Sequence, residues 1–282
     1  MMKPRHLLDR LFILSLWIAA LIVITILAAI ILYLFSKGSS FISLDFILDR
    51  PQGSPLGSAG GVMPAIMGTI WLVLLALLAA GFPALFTAIY LNEYGSQRKS
   101  SRIMNILLQS MASVPSIITG LFIYALCVVR LGWGISLLAG SMALALMIFP
   151  VLVVSIREAL RSVDSQTRLA AAALGVSKTY SLRRIILPQA IPGILAAFLL
   201  AMGYAAGATA PIMVTAAAIV APAPQSLFQP VMALPYHLYI LFNEHVSMQQ
   251  AYATALVLLI LLLSINALAL YLRSWQERKQ AG

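Results

Sequence analysis

Charge is what this chain has least of. Of its 282 residues only 9% are Asp, Glu, Lys or Arg, whereas 62% are hydrophobic and the mean hydropathy is +0.99. A soluble domain carries roughly 25% charged residues, so lipid is the natural solvent here. Cysteine is confined to Cys127, inside an apolar stretch, so no internal disulfide can staple the fold. Histidine is also scarce: His237 and His245 stand apart with no ligand partners at metal-binding spacing, and no metal or other cofactor is expected. No Gly-x-x-x-x-Gly-Lys-Ser/Thr segment occurs, so nothing in the chain can cradle ATP phosphates. No nucleophile, base and acid converge in the sequence, which argues against an enzyme. None of the 8 acidic residues falls deep in an apolar run. That argues against a secondary transporter or channel, which places ionisable or filter residues inside its spans.

Six apolar stretches are long enough to cross a bilayer as helices, at 11–35, 65–91, 104–129, 133–156, 190–221 and 249–272. The first follows Lys3, Arg5 and Arg10 but is about twice the length of a cleavable hydrophobic region, so it reads as a retained span. An even number of spans puts both termini on one side. Sorting the 18 basic residues by loop gives one side Lys3, Arg5, Arg10, Arg98, Lys99, Arg102, Arg157, Arg161, Arg168, Lys178, Arg183, Arg184, Arg273, Arg278 and Lys279. The other side receives only Lys37, Arg50 and Arg130. Basic residues near span ends stay cytoplasmic, so both termini are expected inside. The excess of positive charge is thus topological, and no nucleic-acid partner is expected. The expected organisation is a cytoplasmic tail and first helix over 1–36, an external loop over 37–64, a membrane domain over 65–272 and a cytoplasmic tail over 273–282. The external loop 36–64 is rich in Gly, Ser and Pro, and the loop 222–248 holds Pro222, Pro224, Pro230 and Pro235; extended or re-entrant segments and a passive connector both fit that proline density.

Between the fourth and fifth stretches the chain leaves the membrane for over thirty residues, 157–190. Asp164 is placed to cap a short helix, Gly175 to end it in the left-handed conformation, and Ser177 to cap a second helix ending at Pro188. Helix, sharp turn and helix make a projecting knob. Its spacing, Ala170-Ala171, three residues, Gly175, nine residues, Ile185, one residue, Leu187-Pro188, resembles the EAA motif of binding-protein-dependent ABC importer permeases. The resemblance implies a type-1 permease fold, all-α with six transmembrane helices, whose loop docks on a cytoplasmic ATPase. Leu169 stands where that family usually has the glutamate of the motif. This puts one polar contact in doubt but leaves the docking mode.

Further segments resemble the PstA-type permeases of phosphate importers: GGVMPAIMGT at 60–69, AIYLNEY at 88–94, SVPSIITGLF at 113–122, GATAPIM at 207–213 and LFQPVMALPYHLYIL at 227–241. The likeness implies half of a phosphate translocation path in a bacterial inner membrane. Its implied partners are lipid, a second related permease (PstC-like), two copies of an ABC ATPase (PstB-like) and an external substrate-binding protein (PstS-like). One departure touches the substrate. The family's Arg-x-x-Gly-Glu-Thr-Ala-Pro reads here from Tyr204 through Ala208 and Thr209 to Pro211, with both charged positions neutral. Either the second permease supplies the polar path, or the cargo is another oxyanion, phosphate-like, molybdate-like or a phosphonate. A non-pore membrane scaffold is a further alternative.

Around that position, Tyr204 and Thr209 have hydroxyls for an oxyanion or for a neighbouring helix. Gly203 and Gly207 permit close helix contact, and Pro211 would free a backbone carbonyl. Ser113, Pro115, Ser116 and Thr119 make a polar kink in the third stretch; lining a path and satisfying its own broken backbone both account for it.

Overall fold

The computed structural model describes residues 4–54, 57–95 and 99–281, so Lys3 and Arg98 of the basic set lie outside it. Helix α1 (Pro4–Gly38) leads into a folded cap of a 3-10 turn, helix α2 (Leu44–Leu48) and a two-stranded ribbon pairing β1 (Pro51–Gln52) with β2 (Ala59–Gly60). The membrane-length helices α3 (Met63–Ile89), α6 (Leu137–Arg161), α9 (Leu187–Ala206) and α12 (Met248–Ala281) follow. Between them lie α4 (Lys99–Ser113), α5 (Ser116–Ile123), α7 (Ser165–Ala173), α8 (Lys178–Ser181), α10 (Ala210–Thr215) and α11 (Leu234–Asn243).

Among the described residues five helices are long and apolar enough to cross a membrane, and a sixth span exists if α4 and α5 count as one. The expected third span over 104–129 falls on that pair and is bent. The chain bends by 101° between Ser113 and Ser116, because Pro115 has no N–H to continue α4 and disfavours helical backbone at Val114. The fifth span is also shifted. Its helix runs over Lys178–Ala206 instead of 190–221, and beyond Ala206 the chain breaks before α10 and continues without long helix.

The bundle is built by matching small side chains to large ones. Helix α3 turns a stripe of Ala76, Ala80, Ala84 and Ala88 inward, spaced four apart, and α6 answers with Ile148, Leu152, Ile156 and Leu160, all buried. Helix α9 adds Ala197, Ala201 and Ala205 at the same spacing. With lipid as apolar as leucine, association rests on close packing, and four-residue stripes of alanine let backbones approach. Gly193 lets α9 touch α6, since an added Cβ there would sit 2.7 Å from that of Ala159. Helix α12 packs on α9, and α1 packs along α12, where Tyr33 and Tyr252 meet edge to face with hydroxyls 3.1 Å apart.

The Pro-rich connection at 216–233 folds back into the bundle. Val231, Met232, Ala233 and Leu234 are buried against α3, and the Leu234 N–H donates to Thr69 Oγ1 at 2.8 Å. Its carbonyls also satisfy the start of α6: Leu137 N–H donates to Gln229 O and Leu138 N–H to Leu227 O, while Ser136 Oγ caps Ala139 N–H. Helix starts leave orphan N–H groups, and burying them requires such partners.

Candidate functional site

The knob between α6 and α9 forms by the local signals read from its sequence. Asp164 Oδ1 accepts from the N–H of Gln166 at 3.0 Å and opens α7. Gly175 ends it at φ +70°, with its N–H on Ala172 O and that of Val176 on Ala171 O. An added Cβ at Gly175 would meet nothing within 4 Å, so glycine answers the backbone there and not packing. Ser177 Oγ then accepts from Tyr180 N–H and opens α8.

The second arm does not stop at Pro188. Helix α8 passes through a π-turn at Leu182–Ile186 directly into α9, giving one helix over Lys178–Ala206. A proline inside a helix clashes with the carbonyl four residues back, and the wider π-turn just ahead of it accommodates the clash. The knob's second arm and the fifth span are therefore one lever. Of the motif residues, Ala171 is buried, Ile185 and Leu187 are half-buried, and Ala170 and Pro188 are exposed. Leu169 (63% exposed) and Leu174 (81% exposed) stand at the tip with Tyr180, an apolar surface with no intrachain cover.

An ion pair absent from the sequence reading fixes the knob to the bundle. Glu93, in the last turn of the helix that α3 begins, is 7% exposed and meets Arg168 Nη1 of α7 at 2.8 Å. Arg168 Nη2 donates to Leu160 O at 2.6 Å and Asn92 Nδ2 donates to the same Glu93 oxygen. Lys178 lies 4.9 Å from the ring centre of Tyr94. A single acid closing a span opposite an arginine-bearing loop was the one available signal, but 75 residues separate the partners and no periodicity links them.

The residues read as a candidate path divide. Thr119 is buried, and its neighbour Gly120 packs α5 onto α10, an added Cβ lying 2.8 Å from both the Cα and the carbonyl O of Pro211. The kink of the third stretch and the Thr209–Pro211 segment are thus brought together. Thr119 also lines an apolar cleft of about 260 Å³ with Met111, Val114 and Phe122. Ser113 and Pro115 are exposed at the bend and Ser116 is half-buried; Ser113 Oγ is spent on Ser110 O at 2.8 Å. Ala208 and Thr209 are half-buried. Tyr204, 52% exposed, lies on the outer face of α9 with Leu200 and Gly207.

Two local expectations are corrected. Gly203 and Gly207 carry no contact with another helix of this chain, because their face of α9 points out of the fold. Pro211 breaks no helical bond: it stands in the first turn of α10, where its missing N–H costs nothing, and its own carbonyl accepts from Thr215 Oγ1 at 2.7 Å.

Residues 84–281 match the family described as binding-protein-dependent transport system inner membrane component. The phosphate transport system permease protein PstA 2 of Mycobacterium bovis is 33% identical over 227 residues, 79% of this chain and 75% of that one. PstA of Xylella fastidiosa is 32% identical over 249 residues, covering 86% and 84%. The probable PstA of Methanocaldococcus jannaschii is 34% identical over 265 residues, covering 91% and 90%. Among solved structures, the inward-facing MetNI methionine ABC transporter superposes with a TM-score of 0.63 at 17% identity, covering 76% of this chain and 96% of that one. An amino acid ABC transporter gives 0.56 at 21%, covering 76% and 92%. These likenesses establish the type-1 importer permease fold.

Proposed function

Because this chain belongs to the binding-protein-dependent transport inner membrane components, we propose that it is the PstA-type permease subunit of an ATP-driven phosphate importer. The observation that carries the reading is the knob, which joins an uncovered apolar tip to a membrane helix without a break. In this reading both termini and the knob face the cytoplasm of a bacterial inner membrane, and residues 65–272 form the permease domain. Leu169, Ala170, Leu174 and the turn at Gly175 meet a separate ABC ATPase, of which two copies serve the assembly. A second, related permease completes the path and an external binding protein delivers the anion.

The coupling follows from the lever. Closure of the ATPases displaces the α7–α8 turn, and the continuous helix carries that displacement to Tyr204 and the break before Thr209. Only contacts that differ between the two states can shift their populations, so the tip must bind the ATPase differently before and after closure. Glu93 and Arg168 make the first span after the cap move with the knob.

Leu174→Asp places a charge on the tip at a side chain that is 81% exposed, and should abolish ATPase association while membrane insertion persists. Retention of the ATPase in a pull-down would refute docking at this surface. The substrate is tested by uptake of labelled phosphate in cells lacking their own importers and supplied with the full subunit set. A second reading, another oxyanion as cargo, is favoured by the neutral Tyr204 and Ala208. No uptake of labelled phosphate, with uptake of labelled molybdate or a labelled phosphonate by the same subunit set, would select it.

A further inference from the structure

A cleft of about 590 Å³ opens beside the knob, between the end of the α3 helix, α4 and the last turns of α6. That is within the roughly 300–1,000 Å³ of small-ligand sites. Its polar lining includes Arg102, Arg157 and Arg161 with Asn92, Ser101, Asn105 and Gln109, and among the described residues no carboxylate lines it. We infer that this cleft binds a phosphate group, carried either by the free inorganic anion or by a lipid headgroup.

Four observations support this. Arg157 Nη1 is held by Asn105 Oδ1 at 2.6 Å, which aims the guanidinium, yet its Nε is buried with no hydrogen-bond partner. Ser101, 7% exposed and also lining the cleft, has a buried hydroxyl with no partner. Both atoms are closed off within the wall of the cleft, so an acceptor for them requires the wall to open around a bound group, and buried polar groups in native proteins are satisfied as a rule. Third, Arg102 and Arg161 bring further guanidinium groups to the same cleft. The single ion pair among the described residues is spent on Arg168 and Glu93. Water in the cleft would leave the mutual repulsion of the three cations; an oxyanion relieves it, and the guanidinium fork matches phosphate oxygens. A favourable interaction with the C-terminal helix dipole of α6 accounts for Arg161 but not for the buried Nε of Arg157. Fourth, α4 exposes Ile103 and Leu107 beside its basic end, as a helix lying at a lipid interface does, which is why a headgroup is one of the two sources.

The inference does not use the cargo proposed above: anion binding here with no phosphate uptake, or the reverse, separates the two. The full-length protein is kept in a phospholipid-free maltoside detergent and titrated with inorganic phosphate by calorimetry. In a second arm it is extracted from vesicles containing phosphatidylglycerol, and retained lipid is counted by native mass spectrometry. R157Q and the double variant R102Q/R161Q should weaken whichever ligand binds by about tenfold or more, the scale of one lost charge-assisted contact. R130Q, a charge outside the cleft, should not. Calorimetric binding that the variants lose identifies the free anion, and lipid retention that they lose identifies the headgroup. Should R157Q fail to fold, R102Q/R161Q decides, because both side chains are exposed. The inference is overturned if the wild type binds neither ligand, or if R102Q/R161Q binds as the wild type does.

Discussion

Replacing Arg168 by glutamine should loosen the knob more than replacing Glu93 by glutamine, and by an amount the structure bounds. Two charges about 3 Å apart attract by about 5 kcal/mol at an effective dielectric of about 20. Desolvation offsets much of this, and breaking a fully buried pair from one side costs about 3–5 kcal/mol. Glu93 is almost fully buried but Arg168 is 28% exposed, so solvent screening reduces the range to about 1–3 kcal/mol. The asymmetry follows from what is left behind. R168Q strands a buried carboxylate with only the Asn92 amide and removes the donor to Leu160 O. E93Q leaves a guanidinium that still reaches water and Leu160 O. The expected opening is local, of α7 from the bundle, so the assay is hydrogen exchange of the amides from Arg168 to Leu174. Each 1.4 kcal/mol lost should speed exchange about tenfold. The double variant E93Q/R168Q should exchange more slowly than the product of the two single effects predicts. Unchanged exchange in R168Q, or strictly additive effects, would refute the role of this pair as the knob's anchor.

Three further outcomes are expected. His237 of α11 is buried with Nδ1 unpartnered, and burial pushes its imidazole down to about 4 from an ordinary value near 6.5. The native state therefore prefers the neutral ring. Stability is full above about pH 6.5 and declines toward pH 4 by at most about 3 kcal/mol; His237→Asn should flatten the pH dependence of the thermal midpoint, and an unchanged slope would count against it. Gly175→Asn should be tolerated, since asparagine visits the left-handed region in open space, whereas Gly175→Val should cost about 1–2 kcal/mol and disorder the turn. This is read by exchange of the Val176 amide, and equal protection in both variants would be the adverse result. Gly120→Ala drives a methyl group into the Pro211 backbone and should destabilise the protein by about 1–3 kcal/mol in detergent unfolding. Wild-type stability would mean that α5 and α10 are not in contact.

Continuity between α8 and α9 changes how the knob works. A knob with an independent second helix could pivot on its own connection, whereas one joined through the π-turn at Leu182–Ile186 moves with its span. Its Arg183 and Arg184 lie on exposed turns of that lever, and Tyr204 lies near the other end of the same helix.

What the sequence determined by itself was whatever depends on neighbours in the chain and on solvent. Apolar length set the spans, Asp164 and Ser177 opened the knob's helices, Gly175 turned it, and the ordered motifs carried the family. Each of these is a local preference of backbone or side chain, legible within a few residues. Tertiary structure decided the rest. It bent the third span at Pro115, extended the fifth through Pro188, folded residues 231–234 into the bundle, and turned Gly203 and Gly207 outward. It also joined Glu93 to Arg168 and gathered Arg102, Arg157 and Arg161 around one cleft. These features arise from contacts between segments far apart in sequence, where packing and burial override local preference, and no periodicity in the chain encodes which distant partner a side chain will meet.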